Sequence, residues 1–187
     1  MTQEAQAPLT RNKMQPKISH TAQDLNLVLQ NPTESEEIVY QVFSVEEPTN
    51  NKWVNKTVIN PGKIGEEYNK THGHYHTTNP HPELYKVEEG EGILILQKKH
   101  EILLVKAKAG DEILIEPEYG HSWSNTGNTP LVLLDNWSFG HSEEDYVFID
   151  KHHGMAYYLT PEPTLNPNYQ DLPQPIWVIP QQLPQGV

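Results

Sequence analysis

From Ile38 onward the apolar residues fall at alternate positions or in short unbroken runs, the period of strands rather than of helices. Ile38–Val45 is rich in β-branched and aromatic side chains, and Trp53–Ile59 follows it after a polar turn. Further strands are predicted over Glu83–Glu88, Gly92–Gln97, Ile102–Ala107, Ile113–Ile115, His121–Asn125, Leu131–Trp137, Tyr146–Ile149 and Met155–Leu159. Turn residues such as Asn60-Pro61-Gly62 separate them. Many short strands with no internal repeat predict an all-β sandwich or barrel.

The helical signal is confined to the N-terminal part. Ser19–Asp24 resembles a helix start, with Thr21 as N-cap and Asp24 three residues on. Leu25, Val28 and Leu29 then form a short apolar stripe, closed by Asn31-Pro32. The expected organisation is an N-terminal arm with a short helix (1–36), a barrel domain (37–160) and a proline-rich extension (161–187). Within the extension, Ile176-Trp177-Val178-Ile179 is expected to dock as an edge strand or to pack across a subunit boundary.

Composition narrows the functional classes. The 187 residues suffice for one ordinary core, and no apolar run approaches the ~18 residues of a membrane span. Met1–Gln15 lacks the apolar centre of a secretory signal, so a cytoplasmic protein with no membrane partner is expected. The net charge of −12, with Arg11 the single arginine, argues against nucleic acid. The same charge disfavours small anions, so a phosphate would need donors placed close to it. With no cysteine, any metal must be held by nitrogen and oxygen.

Such ligands cluster between Thr71 and His121. His74 and His76 are two apart, so on extended backbone both imidazoles leave one face. Glu83 heads the next predicted strand, and His121 follows the Pro117-Glu118-Tyr119-Gly120 corner. Three imidazoles and one carboxylate form a ligand set for Fe, Mn, Ni or Zn. His81, His152 and His153 fall outside that spacing and are expected at the surface or the pocket rim.

Two longer patterns carry a family resemblance. Gly73-His74-Tyr75-His76-(x6)-Glu83-(x6)-Gly90 resembles the first cupin motif, and Gly110-(x6)-Pro117-(x3)-His121-(x3)-Asn125 the second. Within cupins, Pro61-Gly62-Lys63-Ile64-Gly65, Thr71-His72-Gly73-His74-Tyr75-His76 and Pro82-Glu83-Leu84-Tyr85 resemble the archaeal-type glucose-6-phosphate isomerases. The resemblance implies a double-stranded β-helix, or jelly-roll, barrel, with one divalent metal on His74, His76, Glu83 and His121. It also implies a sugar phosphate held by Thr57, Thr71, Gly73 and Tyr85, with Tyr40 lining the pocket. A homodimer acting in glycolysis and gluconeogenesis follows from the same resemblance. Trp137 stands where the family has a pocket tyrosine, and Ser142-Glu143-Glu144 is inserted after His141.

The implied reaction moves hydrogen between C1 and C2 of an open sugar, through an enediol or by a hydride shift. The family gives the proton transfer to the residue matching Glu83. A carboxylate on a dication is a weakened base, which makes His141 an alternative. An epimerase on another sugar phosphate, a cupin dioxygenase and a non-catalytic metal- or sugar-binding cupin remain open on the same ligand set.

Overall fold

The computed structural model describes residues 15–45 and 52–183. Two sheets, antiparallel except for one edge strand, face one another. The larger runs in the order β1 (Ile18–Thr21), β2 (Ile38–Ser44), β3 (Asn55–Ile59), β11 (Leu131–Asp135), β6 (Glu83–Glu89) and β9 (Glu112–Ile115). The smaller runs β10 (Gly120–Asn125), β7 (Glu91–Lys98), β8 (Glu101–Lys108) and β14 (Ile176–Val178). Two-residue pairs, β4 (Lys63–Ile64) with β5 (Glu67–Tyr68) and β12 (Tyr157–Tyr158) with β13 (Thr164–Leu165), lie outside them. A single helix of α type among the described residues, α1, spans Glu143–Lys151. This is the jelly-roll barrel of a cupin.

The alternation expected of half-buried strands is plain in the larger sheet. Asn55, Thr57 and Ile59 of β3 are buried, as are Glu83, Tyr85 and Val87 of β6, with half-buried residues between them. β7 and β10 are buried almost throughout, because the smaller sheet is covered on its outer side too. There Gln97 accepts the Ala156 N–H at 2.7 Å and donates to the Tyr169 hydroxyl at 3.1 Å. Side chains such as Leu94, Val105 and Leu133, fully buried between the sheets, contribute about 1.5–3 kcal/mol each.

Three local expectations are corrected. Tyr146–Ile149 lies in helix α1 and not in a strand. Ser142 and Asp145 form a capping box at its start, which satisfies amides that a strand would have paired across a sheet. Met155–Leu159 pairs as a strand only at Tyr157–Tyr158. The Thr21–Asp24 box does form, with N–H and hydroxyl groups bonded reciprocally at 2.8–3.2 Å, but the helix it opens is a 3-10 segment, Gln23–Val28. The residues just before it are β1, paired antiparallel to β2. Ile176–Val178 docks as a parallel edge strand on β8.

A buried ion pair ties the 3-10 segment to the barrel. The Lys70 ammonium donates to Glu67 Oε1 at 2.5 Å and to the Val28 carbonyl at 2.6 Å, while Glu67 Oε2 accepts the Gln30 N–H at 2.9 Å. Both side chains are almost fully buried. Removing one partner leaves an uncompensated charge, so Glu67→Ala should cost about 3–5 kcal/mol. Replacing both residues with apolar ones (Glu67→Leu with Lys70→Met) should cost much less. Urea unfolding of the two variants measures the difference.

Candidate active site

The site forms where the stretch 69–76 runs along β10. Thr71 donates its N–H to the Trp123 carbonyl at 2.9 Å, and His74 and His121 exchange backbone hydrogen bonds at 3.1 and 2.9 Å. That exchange sets His74 directly beside His121. Gly73 makes the approach possible: its φ of +90° is a left-handed conformation, and an added Cβ would lie 3.0 Å from Met155 Sδ. Glu83 enters from the facing sheet, at the first position of β6.

Ligand atoms of His74, His76, Glu83 and His121 all lie within 4.8 Å of one another. Glu83 Oε2 is 3.3 Å from His76 Nε2 and 3.2 Å from His121 Nε2. These contacts are close enough for attraction but are not aligned as hydrogen bonds. The three Nε2 atoms and Oε2 are therefore buried with no hydrogen-bond partner among the described residues. His76 Nδ1 faces the His81 carbonyl at 3.1 Å, which holds the proton on Nδ1 and leaves the Nε2 lone pair for the cluster. Converging acceptors with no donor among them suit a divalent cation better than a proton network. The residues thus fit a metal.

Electrostatics agree with this fit. Burial opposes the charge of Glu83, but positive charge at the His121 and His76 positions outweighs it and holds the carboxyl at about 2, the same charge that a cation would bring. Burial, then the neighbouring imidazoles of His121, His141 and His76, pushes His74 well below its ordinary value, so it stays neutral and able to ligate.

The cluster opens into a cavity of about 420 Å³. Tyr40, Thr57, Thr71, Gly73, Tyr85 and His141 all line it, together with His74, Glu83 and His121. Size alone does not single it out, since hollows of about 500 and 560 Å³ lie elsewhere on the chain without any of the four cluster residues. Thr71 Oγ1 already accepts the Trp123 N–H at 3.0 Å, whereas the Thr57 hydroxyl has no side-chain hydrogen bond among the described residues. Burial raises the phenols of Tyr40 and Tyr85, so both remain protonated donors. His141 stands outside the four, its ring centroid 4.1 Å from that of His74 and its Nδ1 3.6 Å from Asp145 Oδ2. Burial lowers its pKa, and it is a free base at neutral pH. Trp137 stacks on His76 at 3.8 Å. His81, His152 and His153 do not line the cavity.

Several lining residues were missed from sequence: Lys17, His20, Asn55, His72, Asp135 and Tyr146. Asp135 had a visible signal, a carboxylate inside the apolar run Leu131–Trp137. Burial, then the charge of Glu83, pushes its carboxyl up to about 7.

A jelly roll with three histidines and a glutamate converging inside it is a cupin equipped to hold a metal. The family model described as glucose-6-phosphate isomerase (GPI) matches residues 21–175, and the chain belongs to that family. Relatives include the glucose-6-phosphate isomerase of Thermococcus litoralis, 32% identical over 104 residues, 54% of this chain and 55% of that one. The putative glucose-6-phosphate isomerase 2 of Rhizobium meliloti (strain 1021) is 32% identical over 126 residues, 66% of this chain and 62% of that one. The chain spans about half the length of the first of these curated relatives and somewhat more of the second. Among solved structures, a predicted oxalate decarboxylase from Thermotoga maritima aligns at a TM-score of 0.44 with 20% identity, over 69% of this chain and 96% of that one. That likeness is too loose to inform the chemistry.

The ligand set yields a direct test. His76→Ala and His121→Ala should each lose bound metal, as elemental analysis of the purified protein would report. His152→Ala, whose ring stacks on Phe148 away from the cluster, should retain it. Full occupancy in His121→Ala would remove His121 from the set.

Proposed function

We propose that the chain is a metal-dependent aldose–ketose isomerase interconverting glucose 6-phosphate and fructose 6-phosphate. One observation carries the reading: three of the four cluster residues, a set of hydroxyl and amide donors and a free imidazole line one cavity, with His76 completing the cluster. His74, His76, Glu83 and His121 would hold one divalent ion, Fe, Mn, Ni or Zn. When bound, such an ion polarises carbonyl and hydroxyl oxygens and stabilises charge developing on them.

The chain's own residues divide the remaining work. The hydroxyls of Thr57 and Tyr85 and the Gly73 N–H are donors for the phosphate. Thr71 is engaged on both counts, since its oxygen accepts from Trp123 and its proton goes to Ser122 Oγ at 3.2 Å, so it would have to exchange that bond to reach a phosphate. Glu83, held ionised, is better suited to ligation than to proton abstraction. His141 is free of the ligand set and neutral, so it takes the proton from C2 and returns it at C1. Trp137, stacked on His76, walls the site against water. The reading extends to a homodimer, with exposed Ile176, Trp177 and Ile179 near the β14 edge as a contact surface; sedimentation measures it.

A coupled assay with added Mn, Fe or Ni tests the activity itself. His141→Asn should lower turnover by at least ~100-fold with metal content unchanged, the range for losing a general base. Glu83→Gln should instead lose metal first. In deuterated water, solvent deuterium should enter the product; a product free of deuterium would replace His141 with a hydride shift. Thr57→Val should raise KM for the phosphorylated sugar roughly 10- to 100-fold, as expected for a lost hydrogen bond to a charged group. Equal losses on free and phosphorylated fructose would take Thr57 out of the phosphate site.

A further inference from the structure

Asp135 occupies an unusual position. It closes the apolar strand β11, with Asn55 of β3 opposite it on one side and Tyr85 of β6 on the other. All three line the cavity, and Asp135 is only 4% exposed. Its Oδ1 accepts the Asn55 amide at 2.6 Å and the Trp137 N–H at 3.0 Å. Asn55 is fixed in turn, because its amide also reaches the Trp137 carbonyl at 2.9 Å and its oxygen accepts from the Lys17 ammonium. The carboxyl therefore cannot rotate freely, and Oδ2 is left without a hydrogen-bond partner among the described residues.

A buried carboxyl is costly unless it is fully bonded, and on the same strand Leu131 and Leu133 are buried without that cost. Asp135 is not part of the metal-ligand cluster, so ligation does not explain it. We infer that Asp135 is a specificity residue whose Oδ2 hydrogen-bonds a hydroxyl on the carbon chain of the bound sugar phosphate. A hydroxyl both donates and accepts, so it pairs with either form of the carboxyl, whereas a phosphate would be repelled by the charged one. The inference rests on the reading above that a polyhydroxylated phosphate ester occupies this cavity. It adds a contact that the recognised motifs do not include.

The experiment compares the full-length, Mn-loaded wild type with Asp135→Ala and Asp135→Asn. The probes are sorbitol 6-phosphate, which has the hydroxyl chain but cannot react, and inorganic phosphate. In Asp135→Ala, affinity for sorbitol 6-phosphate should fall about tenfold to a hundredfold, the cost of a lost hydrogen bond to a charged group. Phosphate affinity and bound metal should change less than about twofold, within the scatter of a contact that is not made. Asp135→Asn keeps an oxygen for Asn55 and the Trp137 amide, so it holds the local fold even if the alanine variant does not. It should weaken sorbitol 6-phosphate binding by a smaller factor, again sparing phosphate. Wild-type affinity for the polyol in either folded variant, or an equal loss for both probes, overturns the assignment. The parent reading fails separately. A wild type that binds the polyol but does not isomerise, with binding lost in the variants, keeps Asp135 as a sugar contact and removes the isomerase. A wild type that binds neither probe ends both.

Discussion

Four buried ligand atoms within 4.8 Å of one another, none with a hydrogen-bond partner among the described residues, are the constraint around which this barrel is arranged. Each unsatisfied buried polar atom costs about 1–3 kcal/mol, so the cluster is a destabilising feature until a cation satisfies it. Three separate segments must converge to make it: the extended stretch after Gly73, the start of β6, and β10. A jelly roll meets that need because its two sheets face each other closely enough for Glu83 to reach His76 and His121. Metal binding and barrel closure are thereby linked, since a cation that binds only the folded chain stabilises it by mass action.

Much of this was legible in the residues. The His74–His76 spacing was enough to pair the two rings, and both reach the cluster although the stretch joins β10 only through isolated bridges at Lys70 and His74. Glu83 and Tyr85 were readable from period two, because β6 alternates strictly until its last turn. The Tyr146–Ile149 segment was misread for an intelligible reason. Tyr146-Val147-Phe148-Ile149 has strand composition, while the decisive signal, Ser142 followed three residues later by Asp145, lies just upstream. The Asn55–Asp135 pair was beyond a local reading. The two residues are 80 apart in the chain and meet only through the register of β3 on β11, which no periodicity encodes.

Charge poses a further question, because a chain of net charge −12 is proposed to bind an anionic sugar. The cavity departs from the average of the chain. Among the described residues its lining holds only two carboxyls, Glu83 and Asp135, beside Lys17 and neutral donors such as Tyr40, Thr57 and Tyr85. A few of the remaining acids lie in exposed pairs such as Lys52 with Glu112 and Lys56 with Glu88, which add little stability. A bound dication would offset both internal carboxylates at once. The overall charge thus governs long-range approach, while the lining governs what remains bound.

Helix α1 links these elements mechanically through Asp145. Its side chain caps the helix at Ser142 N–H, 3.0 Å away, and also accepts the Thr78 N–H at 2.9 Å, while its carbonyl takes the Tyr75 N–H at 2.9 Å. Tyr75 lies between two of the cluster histidines, and Thr78 follows them two residues later. The same carboxylate is 3.6 Å from His141. Burial works against the charge of Asp145, yet the backbone donors keep its pKa below the ordinary value, so it remains an anion beside His141. One buried residue therefore anchors the segment that holds the cluster histidines and also borders the imidazole proposed to move the proton. The segment inserted after His141 is where that anchor is built. Helix capping chemistry thereby gives the cavity a rigid wall, although the sequence surrounding it has the composition of a strand.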